Sequence, residues 1–266
     1  MKIFHEVFLE GTRKSKKDFK EVGIFLENGF SSFVVEESNL NWLRIAELIE
    51  IYQADDYTRT TFSLAEQKSV SHLMVITDWA YGYTKPDVGG GYLAKTYDLG
   101  DYCTKCGCGA KQRAPFILKK EPAWGRNDMF MLNWVFDEIF VKPEIWQKYF
   151  EPIGIDARPV HGYKNECLLD SVVHLVIPNS KTHLDIPGDA ARNTCSLCAR
   201  VKFLPLTNGF YPLLAEHNHL PLFKVQDYIG DGLQAYKPII MDNSLFKVLK
   251  ENKVKGIDAT PLEEAR

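Results

Sequence analysis

The sequence has no apolar run approaching the length of a membrane span. Its first residues, Met-Lys-Ile-Phe-His-Glu-Val-Phe, lack the long apolar core and the small-residue cleavage site of a secretory leader. The expected compartment is therefore the cytoplasm, where thiols stay reduced and metal binding is favoured over disulfides. Positive charge is not in surplus either: 32 Lys and Arg stand against 35 Asp and Glu. A net charge of −3 gives no general attraction to nucleic acid or to an anionic membrane. No Walker loop, dinucleotide fingerprint or serine-nucleophile elbow is present. Gly89-Gly90-Gly91 is glycine-rich, but no lysine-serine follows it, so a mobile loop or hairpin tip is expected across Tyr81 to Tyr92.

What the chain does have is an ordinary globular composition, 45% hydrophobic and 25% charged over 266 residues. Cysteine is sparse, yet five of the six fall in two places: Cys103-Thr-Lys-Cys106-Gly-Cys108-Gly and Cys195-Ser-Leu-Cys198. Two Cys-x-x-Cys pairs supply four thiolates, the set that a structural zinc ion binds as a tetrahedron. Cys103, Cys106, Cys195 and Cys198 are the expected ligands. Cys108 competes with Cys106, which is preferred because it completes the Cys-x-x-Cys. The long gap between the pairs exceeds that of a compact zinc ribbon, so the intervening chain must fold and return. Cys167, beside Leu168 and Leu169, reads as a buried apolar residue and not as a nucleophile.

Periodicity places the elements. Met1–Phe8 and Phe33–Val35 read as strands, and the basic cluster Arg13-Lys-Ser-Lys-Lys17 as a solvated loop. Trp42, Ile45, Ala46, Ile49 and Tyr52 recur at helical steps, predicting a helix over 39–52 capped by Ser38 or Asn39. Ser63-Leu-Ala-Glu66 has capping-box spacing, and His72–Thr77 is a buried strand whose His72 is a strand-end residue and not a ligand. The apolar stretch 127–140 must be largely buried, and Pro143 opens a helix that ends at Gly154.

Gly154-Ile-Asp-Ala-Arg-Pro-Val and Gly256-Ile-Asp-Ala-Thr-Pro-Leu match position for position, each following an apolar run and an amphipathic segment. They point to an internal duplication, residues 103–161 and 195–262. The expected fold is α+β, with mixed or antiparallel sheets and short helices. Two knuckle–strand–helix–strand units are joined by one structural zinc, inside a region 99–266 that follows an N-terminal α+β region 1–98.

Over roughly residues 100–266 this pattern resembles the double-CxxCG motif proteins, bacterial proteins linked with polymorphic-toxin immunity. Cys103-x-x-Cys106-Gly fits the motif; Cys195-x-x-Cys198 is followed by Ala199 in place of glycine, and Cys108 is extra. The resemblance implies a non-catalytic, zinc-stabilised module that neutralises a toxin by binding it. One alternative is a metal-dependent hydrolase or nuclease centred on Glu216-His217-Asn218-His219, with His174, His183, Asp185 and Asp189 upstream. Pro212 and Pro221 flank that segment, which therefore also reads as a polar loop. A further alternative is a zinc-ribbon nucleic-acid binder using Lys105, Lys111, Arg113, Arg200 and Lys202 around the metal, although Asp98, Asp101 and Glu121 sit nearby.

Overall fold

Alternation of buried and exposed side chains makes Lys2–Gly11 a strand, longer than the expected 1–8. It is the centre of a three-stranded antiparallel sheet, between Gly29–Glu36 and Asp55–Thr61. The computed structural model describes residues 1–164 and 166–264. They form two compact units, residues 1–66 with 207–210 and residues 67–206 with 211–266. Residues 67–98, grouped by sequence with the N-terminal region, belong to the second unit, where they supply the strand His72–Thr77.

The basic cluster at Arg13 is not a loop. It opens the helix Arg13–Glu21, because Thr12 and Ser15 form a reciprocal capping box and Phe19 buries one face. The helix expected over 39–52 spans Trp42–Ile51. Neither expected cap holds its N-terminus: Asn41 is the N-cap and makes no side-chain cap bond, while Asn39 Oδ1 accepts from the Asn41 N–H at 2.9 Å. Ile45, Leu48 and Ile49 are its buried face, against Val7, Leu9 and Phe19. Ser63 and Glu66 do form the capping box at the start of Leu64–Ser69.

The second unit is built on two larger sheets. Six strands run in the order Ala80–Tyr83, Met129–Asn133, Val135–Val141, Leu168–Leu175, Ala157–Gly162, Ile117–Leu118, parallel at the two outermost pairs and antiparallel elsewhere. Four antiparallel strands follow the order Leu222–Lys224, Ile239–Asp242, His72–Thr77, Ile257–Pro261. The apolar stretch 127–140 is a hairpin, buried as expected and turned at Trp134, which has φ 70°. Its first strand shows no polar face because both faces are covered: Met129 and Met131 enter one core, Phe130 and Leu132 the other. Tyr81–Tyr92 is more ordered than a mobile loop, holding the end of Ala80–Tyr83 and the start of the helix Gly91–Thr96.

Both late segments are strand–helix–strand. Val135–Val141 leads through helical turns from Pro143 to Phe150 into Ala157–Gly162, and Ile239–Asp242 leads through Asn243–Glu251 into Ile257–Pro261. In each case a third strand lies between the two, Leu168–Leu175 in one sheet and His72–Thr77 in the other. The two helices pack into one core through Phe150, Phe246 and Leu249. Burying each of these side chains stabilises by about 1.5–3 kcal/mol. Cys167 contradicts its expected burial: it is exposed, in the turn before Leu168–Leu175, where its carbonyl accepts the Gly162 N–H. No helix among the described residues is long and apolar enough to cross a membrane.

The capping box on the first helix gives a local test. Thr12→Ala should lower stability by about 1 kcal/mol. Amide hydrogen exchange should accelerate in Arg13–Glu21 while the second unit is unchanged.

Candidate metal centre

Each Cys-x-x-Cys closes a tight loop by the same backbone bonds. The Cys103 N–H donates to Cys108 O at 2.9 Å and the Gly107 N–H to Cys103 O at 2.8 Å. In the second loop the Cys195 N–H donates to Arg200 O at 3.0 Å and the Ala199 N–H to Cys195 O at 2.9 Å. The residue after the second cysteine is left-handed in both, Gly107 at φ 79° and Ala199 at φ 58°. Glycine is required twice over at 107, since a Cβ there would lie 2.0 Å from Leu233 O. Ala199 holds the same conformation at the steric cost that a side chain imposes.

These loops bring Cys103, Cys106, Cys195 and Cys198 together, with all four sulfurs within 4.8 Å of one another. Cys103 Sγ lies 3.7 Å from Cys195 Sγ, and Cys106 Sγ 3.6 Å from Cys198 Sγ. A disulfide would need ~2.05 Å. A tetrahedral ion with metal–sulfur bonds of ~2.3 Å separates its ligands by ~3.8 Å, so the cluster fits such an ion. Cys103, Cys106 and Cys195 are buried and Cys198 is half-buried.

The backbone is already aimed at thiolates. N–H groups of Lys105 and Cys106 hold the Cys103 thiol below its ordinary range, and those of Cys198 and Leu197 bring Cys195 down to about 6. Burial pushes Cys106 up to about 11. The Arg200 N–H favours the Cys198 thiolate, but burial and the adjacent sulfurs raise it to about 11. Four bare thiolates at this spacing repel one another, and a bound cation removes that penalty.

Cys108 stands outside the group. It is fully buried, its thiol is pushed up by burial, and it occupies the place that Arg200 holds in the second loop. Among the described residues no other set of three or more His, Cys, Asp or Glu side chains could hold a metal. Glu216, His217 and His219 are exposed; the two imidazoles lie edge to face, 4.3 Å between centroids, with no third ligand joining them. His174 instead pairs with Glu138 at 2.8 Å and His183 with Asp227 at 3.0 Å. His72 is buried at its strand end, as expected.

Of the basic residues near the metal loops, Lys202 is buried, Arg200 is half-buried, and Lys105, Lys111 and Arg113 are exposed. Lys202 is 3% exposed and donates to Cys106 O, Gly232 O and Gln234 O at 2.7–2.9 Å, filling all three of its N–H positions. Arg200 donates to Asp101 O at 2.7 Å, Arg113 to Ala94 O at 3.0 Å and Lys105 to Ser196 Oγ at 2.6 Å; Lys111 pairs with Asp101. Lys202, Arg200 and Lys105 thus bond between the two loop regions, while Arg113 and Lys111 do not. The role of Lys202 was missed in the sequence, although its place between Val201 and Phe203 in a short strand was the available signal. No family model, curated protein or solved structure matches the chain.

Elemental analysis of the purified protein should find a single metal ion per chain. Serine at Cys103, Cys106, Cys195 or Cys198 should abolish it and destabilise strongly. Cys108→Ser and the His217→Ala/His219→Ala pair should retain it. Ala199→Gly should raise the unfolding free energy by about 1 kcal/mol, read as a higher denaturant midpoint, through relief of the left-handed strain. Gly107→Ala should lower it by more than that.

Proposed function

We propose that this chain is a non-catalytic, zinc-stabilised protein-binding module of immunity type, which neutralises a bacterial toxin by covering it. The observation that carries this reading is the outer face of the N-terminal sheet. Strand register puts Phe4, Glu6, Phe8 and Glu10 on one face with Phe30, Val34 and Tyr57. Phe30 is 76% exposed, Tyr57 63% and Val34 60%. Phe8 stacks on Phe30 at 5.9 Å and meets Tyr57 edge-on at 5.8 Å. Aromatics bared to solvent in this density are typical of recognition surfaces. Glu6, Glu10, Glu36 and Asp55 share the face with Lys2 and Arg59, leaving a net negative charge, which suits a basic partner.

The zinc assignment is supported by four sulfurs and a closed, buried site with no open position for substrate. A duplication of residues 103–161 and 195–262 is supported by the matching loop bonds and by the shared strand–helix–strand order around an inserted third strand. A reduced, cytoplasmic setting is consistent with free cysteines.

The test is co-purification from cells that produce the protein, comparing wild type with a Phe30→Asp/Tyr57→Asp variant of unchanged metal content. A basic protein retained by wild type, released by the variant and weakened by salt is the expected result. Identical retention by both proteins would sink the reading of this face.

A further inference from the structure

One cavity in the second unit has Gly107 and Gly109 of the first cysteine loop in its wall but none of the four clustered cysteines. It measures about 1020 Å³, ample for a small organic molecule. Two irregularities of the hairpin Met129–Val141 shape it. Trp134 sits at φ 70°, a strained conformation for an aromatic residue, with its side chain on the cavity wall. Beyond it the register shifts between Val135 and Phe140. Asp137 and Glu138 are consecutive and would point to opposite faces of a regular strand, yet both line this cavity.

The charges divide into a closed set and an open one. Glu138 is fully engaged, with His174 at 2.8 Å on one oxygen and Lys224 at 2.7 Å on the other. Burial would raise this carboxyl, but Lys224 and His174 hold it down at about 2. Asp137 lies 3.8 Å from the same Lys224 ammonium. Arg158 and Lys237, in contrast, have no carboxylate within ion-pair distance among the described residues. Arg158 donates to Gln112 Oε1 at 2.6 Å, and Lys237 to Gln226 Oε1 at 3.1 Å and Asn179 Oδ1 at 3.4 Å. Two cations bonded only to neutral amides thus face the space, and a guanidinium offers a planar fork to an anionic group. Aromatic rings form part of the remaining wall, beside Leu93, Ile177 and Leu233. Tyr92 lies nearly parallel to Trp134, 6.3 Å between centroids, and Phe136 packs on Tyr236 at 5.7 Å.

We propose that this cavity binds a small planar aromatic molecule carrying a carboxylate or phosphate, its ring against the Trp134 and Tyr92 wall and its acidic group on Arg158. The anion is what Arg158 and Lys237 lack, and the rings supply stacking area. The inference is independent of the proposed toxin partner.

The test titrates the metal-loaded, full-length protein by calorimetry with AMP, GMP, indole-3-acetate and 4-hydroxybenzoate, and with adenosine, guanosine, indole and phenol as uncharged counterparts. At least one acid should bind with Kd below about 1 mM, and at least tenfold more tightly than its uncharged counterpart, a difference of ~1.4 kcal/mol. Phosphate or carboxylate binders identify which anion is preferred. Arg158→Gln, which keeps an amide for Gln112, should weaken binding about tenfold or more. Trp134→Gly removes the ring while suiting the left-handed backbone, so it should fold at least as well as wild type and bind more weakly. Absence of any binding below about 1 mM, equal affinity for acid and uncharged counterpart, or affinity unmoved by both variants would overturn the proposal.

Discussion

Four sulfurs held 3.6–4.8 Å apart govern the second unit. As thiolates they repel, as thiols they satisfy little, and the spacing is far too long for disulfides. A tetrahedral cation satisfies them together. The surrounding backbone is arranged for that state: each first cysteine receives two N–H groups and each second cysteine one, in the same sequence positions of both loops. The centre is therefore two equivalent half-sites. Each half-site is specified locally by Cys-x-x-Cys and a left-handed residue, and neither is complete alone.

Lys202 shows how the metal loops are tied to the rest of the unit. An ammonium taken out of water is costly unless every N–H finds an acceptor. Here one acceptor belongs to the first cysteine loop, Cys106 O, and two to the segment Gly232–Gln234. The second loop thus reaches back over the first through a side chain as well as through the shared cysteine cluster. Arg200 does the same from the second loop, donating to Asp101 O beside the first.

The parts of this structure that were legible in the sequence are those set by short-range chemistry. The Cys-x-x-Cys pairs, the Ser63–Glu66 box, the strand His72–Thr77 and the burial of 127–140 each depend on neighbours a few residues apart. Elements that depended on a competing local signal were misread. The lysines at 14–17 concealed a helix that Thr12 and Ser15 cap, and the glycines near 89 concealed the start of Gly91–Thr96. Long-range arrangement was out of reach. Nothing near Cys167 states that it faces solvent, and nothing in Asp137-Glu138 states that a bulge turns both inward toward Lys224, nearly ninety positions away by numbering. The unit boundary was missed for the same reason, because His72–Thr77 pairs with strands from the far C-terminal part.

That last pairing explains why a metal so distant in sequence is useful. Joining Cys103–Cys106 to Cys195–Cys198 closes a loop approaching a hundred residues, a constraint that in the chain-entropy description stabilises by ~4–5 kcal/mol. A cross-link near its ends lowers the entropy lost in placing the strands between them, among them Val135–Val141 and Leu168–Leu175. Four cysteines, three of them buried and Cys198 half-buried, would fill the coordination shell of a tetrahedral ion. The partner face proposed for the first unit and the ligand cavity proposed for the second would use side chains other than these four. Gly107 and Gly109 of the first cysteine loop line that cavity, so its shape depends on the loop that a metal would close.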